Sequence, residues 1–228
     1  MSDPLAAPLL RHARTGIHGR YLVRPARAAP PCPWLVGFHG QGQTADALMP
    51  ALERCARRGH WLIASVQGLH RHYAGRSRAV VASWMTSQDR ELAIRDNLEW
   101  VDTVLDALER EFGPPRAIVF AGFSQGVAMA YRAGLLGRRA CAAVIAGCGD
   151  VPPELASGHD RPWPRVLAAA GTRDEWYTPA RLAADADMLR ALGADARALV
   201  FEGGHEWSDA LTEAAGAVLD EVLRDAAT

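Results

Sequence analysis

Residues 117–134 read AIVFAGFSQGVAMAYRAG, an apolar run that passes through a serine set between two glycines and into a helical pattern. Ala117 to Phe123 contains no polar side chain, as a strand covered on both faces of a parallel sheet requires. From Gln125 to Leu135 the small and apolar residues suit a helix packed back on that strand. Ser124 stands at the junction, with Gly122 and Gly126 two positions to either side. A turn this sharp leaves no space for side chains where strand and helix nearly touch, and glycine meets that condition. Strand, abrupt turn and helix in this order indicate an α/β architecture.

The rest of the chain repeats the alternation. Strands are expected at Arg20 to Val23, Trp34 to Phe38, Trp61 to Val66, Ala142 to Ile145, Val166 to Ala170 and Ala198 to Phe201, most of them continuous apolar runs. The clearest helix places Ile94, Leu98, Val101, Leu105, Leu108 and Phe112 at steps of four, three, four, three and four, and Gly113-Pro114-Pro115 stops it. Further helices are expected from about Ala45 to Arg58, Gln125 to Leu135, Pro179 to Leu192 and Ser208 to Leu223. This pattern predicts a mostly parallel central sheet with helices on both faces. The segment Arg24 to Pro33 holds four prolines and reads as a connector from an edge strand into the sheet. Gln67 to Thr86 lacks clean periodicity and is expected to be a surface loop near the functional site. At 228 residues one domain is expected, with 1–33 as edge strand and connector and 34–228 as the core.

Composition excludes several classes. With 25 basic and 26 acidic residues the formal charge is −1, and no basic block is present to track a phosphate backbone, so no nucleic-acid partner is expected. Every basic residue in that count is arginine. The absence of lysine removes Schiff-base chemistry, a P-loop and a Ser-Lys dyad. No apolar stretch approaches the ~20 residues that cross a bilayer, and none near the start suits a signal peptide; a cytoplasmic protein without stable membrane anchoring is expected. Cys32, Cys55, Cys141 and Cys148 have no CxxC spacing, and His70 and His72 lack a third ligand in sequence, so no metal is expected.

What chemistry remains follows from Ser124. A serine exposed on such a turn is a nucleophile when a base and an orienting acid come to it from loops after later strands, in the order Ser, Asp, His. Gly171-Thr172-Arg173-Asp174 follows one expected strand, and Gly203-Gly204-His205 follows another. Of the two histidines after Ser124, only His205 lies in a glycine-flanked loop directly behind a strand. Two backbone N–H groups must then meet the developing oxyanion. Gln125 supplies one by position, and the glycine-rich loop Gly37-Phe38-His39-Gly40-Gln41-Gly42-Gln43 supplies the other, at Gln41. His39 is expected to brace that loop by hydrogen bonding.

The set GFHGQGQ, GFSQG, GTRDEWYTP and GGHEWS, in that order, resembles the bacterial carboxylesterase, phospholipase and acyl-protein-thioesterase group of the α/β-hydrolases, from about Trp34 to the C-terminus. The chain departs from that group after the third strand, where Ser65-Val66-Gln67-Gly68 stands in place of an Ala-Pro-rich stretch. The resemblance implies an α/β-hydrolase fold and cofactor-free hydrolysis of small-molecule esters or thioesters; separately, a monomer or homodimer is expected. It also supports Ser124, Asp174 and His205 as catalytic residues, with Gln41 and Gln125 at the oxyanion hole. The stretch from Ile145 to Val166 is too short for a cap domain, so an open site is expected, with Trp84, Trp176, Tyr177 and Trp207 near the motif loops as candidate walls of an apolar acyl groove. An acyl-protein thioesterase or lysophospholipase is the alternative enzyme, and a non-catalytic binding module on the same fold is the alternative outside enzymes.

Overall fold

The computed structural model describes residues 9–57, 59–156 and 158–226. In chain order the elements are β1 (Tyr21–Arg24), β2 (Trp34–Phe38), α1 (Ala45–Cys55), β3 (Leu62–Val66), β4 (His70–Ala74), β5 (Ala79–Ser83), α2 (Arg90–Phe112), β6 (Ile118–Phe123), α3 (Gln125–Leu135), β7 (Ala143–Gly147), α4 (Pro153–Ala156), β8 (Arg165–Gly171), α5 (Pro179–Ala191), β9 (Ala196–Phe201) and α6 (Asp209–Asp225). Seven strands form one sheet in the order β1-β3-β2-β6-β7-β8-β9, in which only β1 runs antiparallel to its neighbour.

The period of two along each strand divides the core between two layers. Trp34, Val36 and Phe38 of β2 join Val101, Leu105 and Leu108 of α2, Val127 and Met129 of α3, and Leu182 and Leu189 of α5. Leu35 turns the other way, to Leu48 and Leu52 of α1 and Leu211, Val218, Leu219 and Val222 of α6. Three helices begin where a hydroxyl takes up a free backbone donor: Thr44, Thr178 and Ser208 accept from the amides of Ala47, Arg181 and Leu211.

Segment 67–86 is not the loop expected from sequence. It contains an antiparallel hairpin of β4 and β5, with His70 opposite Ser83 and Ala74 opposite Ala79. β4 is exposed along most of its length and β5 is buried only at Ala82 and Ser83, which are adjacent and so lie on opposite faces, so no single buried side imposes the alternation by which strands are read. Strand ends otherwise differ from expectation by a residue or two. Helix α2 starts a turn before Ile94, the first position of its expected stripe, the four-residue α4 was not expected, and Arg58, the expected end of α1, lies outside the described residues together with 1–8 of the expected N-terminal segment.

Among the described residues no helix is long and apolar enough to cross a membrane. The four cysteines are unpaired, with Cys32, Cys55 and Cys148 buried and Cys141 half-buried. Burial pushes the thiols of Cys55, Cys141 and Cys148 up to about 12.

Candidate active site

Parallel register brings the carboxyl ends of five strands to one edge of the sheet. Phe38 pairs with Gly122, Phe123 with Gly147, Gly147 with Ala169, and Gly171 with Phe201. The loops that leave this edge carry His39 to Gln43, Ser124, Cys148, Asp174 and His205, and the edge of an open α/β sheet is where such folds collect their functional groups.

Ser124 sits between β6 and α3 with φ 52° and ψ −122°, a backbone state that a non-glycine residue holds only under constraint. The constraint is visible. Its N–H donates to Gly147 O at 2.8 Å, and its carbonyl accepts from Val127 N–H at 2.9 Å. A Cβ on Gly122 would come within 2.4 Å of Gly126 O, and one on Gly126 within 2.0 Å of Phe38 O. Both glycines are therefore obligatory spacers where strand, helix and the end of β2 converge.

His205 Nε2 lies 2.8 Å from Ser124 Oγ, and its Nδ1 lies 2.9 Å from Asp174 Oδ2 and 3.0 Å from Oδ1. The Asp174 side chain is fully enclosed, whereas that of His205 keeps a quarter of its surface open. Burial alone would raise the Asp174 carboxyl. The Tyr177 amide, the His205 ring and the Trp176 amide outweigh it and hold the group below the usual carboxylate range. Both amides donate to Oδ1 at 2.9 Å. An ionised Asp174 keeps the proton on His205 Nδ1 and leaves Nε2 free to accept from the serine hydroxyl. The Cys148 thiol lies beside this pair and donates to Glu206 O at 3.5 Å.

The loop after β2 reaches the serine from the other side. A Cβ on Gly40 would stand 3.2 Å from Ser124 Cβ, so the backbone of Gly40 and Gln41 passes close to the turn. Among the described residues, no protein acceptor takes the backbone N–H of Gln41 or of Gln125. His39 is buried and braces this loop. Its Nδ1 donates to Gly40 O at 2.7 Å, its Nε2 accepts from Gly68 N–H at 3.0 Å, and burial holds its ring below the usual imidazole range.

The four aromatic residues separate. Trp84 is fully buried against Phe38 and His39 and donates from its indole to His39 O at 2.8 Å. Tyr177 is buried as well, and its hydroxyl donates to Asp185 at 2.9 Å. Neither presents a face to a groove, which corrects the expectation for both. Trp176 is 75% exposed directly beside Asp174, and half-buried Trp207 follows the His205 loop and donates to Thr212 Oγ1. The motif reading used only the backbone of Gln125. Its side chain also binds, accepting from Trp84 N–H at 2.8 Å and donating to Met85 O at 2.9 Å. A polar side chain at the first position of a helix whose next five residues, Gly126 to Ala130, are all small or apolar was the available signal for it.

No protein-family model matches the sequence, and no curated protein matches it. Solved structures do resemble the fold. Esterase PE8 is 24% identical with a TM-score of 0.74, over 90% of this chain and 100% of that one. A Bacillus cereus carboxylesterase is 20% identical with a TM-score of 0.68, over 89% of this chain and 94% of that one. The Zea mays acyl-protein thioesterase 2 is 16% identical with a TM-score of 0.68, over 90% and 99% of the two chains. Strand order, the strained serine turn and these likenesses agree: the chain has the α/β-hydrolase fold.

Proposed function

We propose that the protein is a serine hydrolase that cleaves carboxylic esters of short to medium acyl groups through an acyl-enzyme on Ser124. The observation that carries this reading is the 2.8 Å contact of Ser124 Oγ with His205 Nε2 at a constrained strand-to-helix turn. His205 takes the hydroxyl proton as Oγ attacks the ester carbonyl, and Asp174 holds the ring and the charge it acquires. The Gln41 and Gln125 N–H groups receive the oxyanion, with the N-terminus of α3 aimed at the same place. The proton then passes from Nε2 to the leaving alkoxide. Water activated by His205 attacks the acyl-enzyme, releases the acid and restores the serine.

The names of the similar structures, esterase, carboxylesterase and acyl-protein thioesterase, favour ester or thioester substrates. No step in this scheme requires a cofactor. Exposed Trp176 beside Asp174 supports an acyl-binding role, and Trp207 is the second aromatic of that wall.

A fluorophosphonate probe tests the reading directly, because it bonds only to an activated hydroxyl. The expected product is one phosphonylated peptide, containing Ser124, that heat-denatured protein does not yield; labelling elsewhere or none at all sinks the proposal. A ladder of p-nitrophenyl acetate, butyrate and octanoate then reads the wall. Trp176→Ala is expected to raise KM for octanoate by about three- to tenfold, the range for losing one apolar contact, while acetate is unaffected.

A further inference from the structure

The proposed oxyanion donors come from loops far apart in sequence, yet one hydrogen-bonded unit joins them. Next to Gln41, Gly42 N–H donates to Ala82 O at 2.9 Å, and Ala82 N–H donates to Gln43 O at 2.9 Å. Ala82 belongs to β5, so the hairpin is stitched to the first donor loop. Two residues on, Trp84 N–H donates to Gln125 Oε1 at 2.8 Å and Gln125 Nε2 donates to Met85 O at 2.9 Å. The same short segment is thus stitched to the second donor loop. Trp84 adds its indole bond to His39 O at 2.8 Å, and Asn97 Nδ2 donates to Trp84 O at 2.7 Å. Residues 82–85 are held from both sides.

We infer that the Gln125 carboxamide is a positioning residue which, by clamping Trp84 and Met85, sets the gap between the Gln41 and Gln125 N–H groups. The inference rests on the hydrolase reading above. The backbone N–H of Gln125 is already fixed by α3, which the turn and its glycines anchor. What the carboxamide restrains is the other donor, reached through Met85, Trp84, Ala82 and the Gly42–Gln43 peptides. An oxyanion needs both donors at about 2.7–3.1 Å together, and a displacement near one ångström costs about a hundredfold in rate. A planar ground-state carbonyl uses the pair less, so the loss falls on kcat and spares KM.

The test compares wild type with Gln125→Met, which keeps the length of the side chain and neither hydrogen bond, and Gln125→Glu, which keeps the acceptor for Trp84 and loses the donor to Met85. Three quantities are read: kcat and KM on p-nitrophenyl butyrate, affinity for a trifluoromethyl ketone that forms an oxyanion on serine, and hydrogen exchange of the Trp84 amide. For Gln125→Met, kcat is expected to fall about ten- to hundredfold with KM within about threefold, ketone affinity to fall by the same factor, and Trp84 to exchange at least about tenfold faster. Gln125→Glu is expected to lie between, and serves alone if Gln125→Met melts early. Faster Trp84 exchange with unchanged kcat, or a rise in KM alone, overturns the inference while leaving the hydrolase reading intact. A wild type that neither cleaves the ester nor binds the ketone removes both.

Discussion

Ser124→Ala is expected to lower turnover of p-nitrophenyl butyrate by about 10⁴-fold or more, to near the buffer rate, because among the described residues no other hydroxyl meets His205 Nε2 and what remains is binding and oxyanion stabilisation. Folding should be untouched, since the serine side chain caps no backbone donor at the start of α3. Alanine inherits the positive φ, however, and glycine does not feel it. Ser124→Gly should therefore be just as inactive and more stable than Ser124→Ala by about 1 kcal/mol, a rise in Tm of roughly 2–4 °C for a chain of this size. Equal melting temperatures for the two variants would mean that the turn stores no strain. Activity surviving in either would remove Ser124 from the mechanism.

Gly126→Ala is expected to be the most damaging single-methyl addition of those the turn allows. The new carbon would meet Phe38 O at 2.0 Å and His39 O at 2.6 Å, and both are backbone atoms that no rotamer change can move. Either α3 lifts from β6 or the end of β2 is pushed away, and overpacking of this kind is worth about 3 kcal/mol or more. A loss of roughly 6–12 °C in Tm follows, with kcat falling further because the loop of Gly40 and Gln41 departs with β2. Gly16→Ala is the control: its Cβ meets nothing within 4 Å, and its melting curve should superimpose on that of wild type. A Gly126→Ala protein that melts with wild type would show that strand and helix can part without loss, contrary to the packing described.

Those parts of the fold that bury their surface were readable from sequence. Strands β2, β6 and β7 are apolar throughout, and β3 is apolar but for Ser65, which donates to Ala45 O, because helices cover both sides, and α2 displays its stripe because one face meets the core. The β4–β5 hairpin was unreadable for the opposite reason. His70, Arg71, His72 and Tyr73 are all exposed, and a strand that hides neither face leaves no pattern. The site divides in the same way. Ser124, Asp174 and His205 could be singled out because the order of loops along the chain constrains them, and the structure brings their side chains within hydrogen-bonding distance. The aromatics were chosen by nearness in sequence to those loops, which says nothing of the direction in which a ring points. Trp84 turns beneath His39 and Tyr177 turns toward Asp185, each drawn inward by a polar atom it had to satisfy.

The four unpaired thiols amount to a built-in clock for breathing motions. Cys32 precedes β2, Cys55 ends α1, Cys141 precedes β7 and Cys148 follows it, and three of them are buried with the fourth desolvated. An alkylating reagent attacks only thiolate that solvent reaches, so the three buried thiols are silent until their own regions open, and half-buried Cys141 serves as the fast reference. Pulsed alkylation followed by peptide mapping would then read three opening frequencies from one unmodified sample. Cys148 differs from the others in place: its opening rate is that of the loop after β7, packed beside Asp174 and His205, and so measures how often the proposed catalytic edge comes apart while the rest of the sheet stays closed.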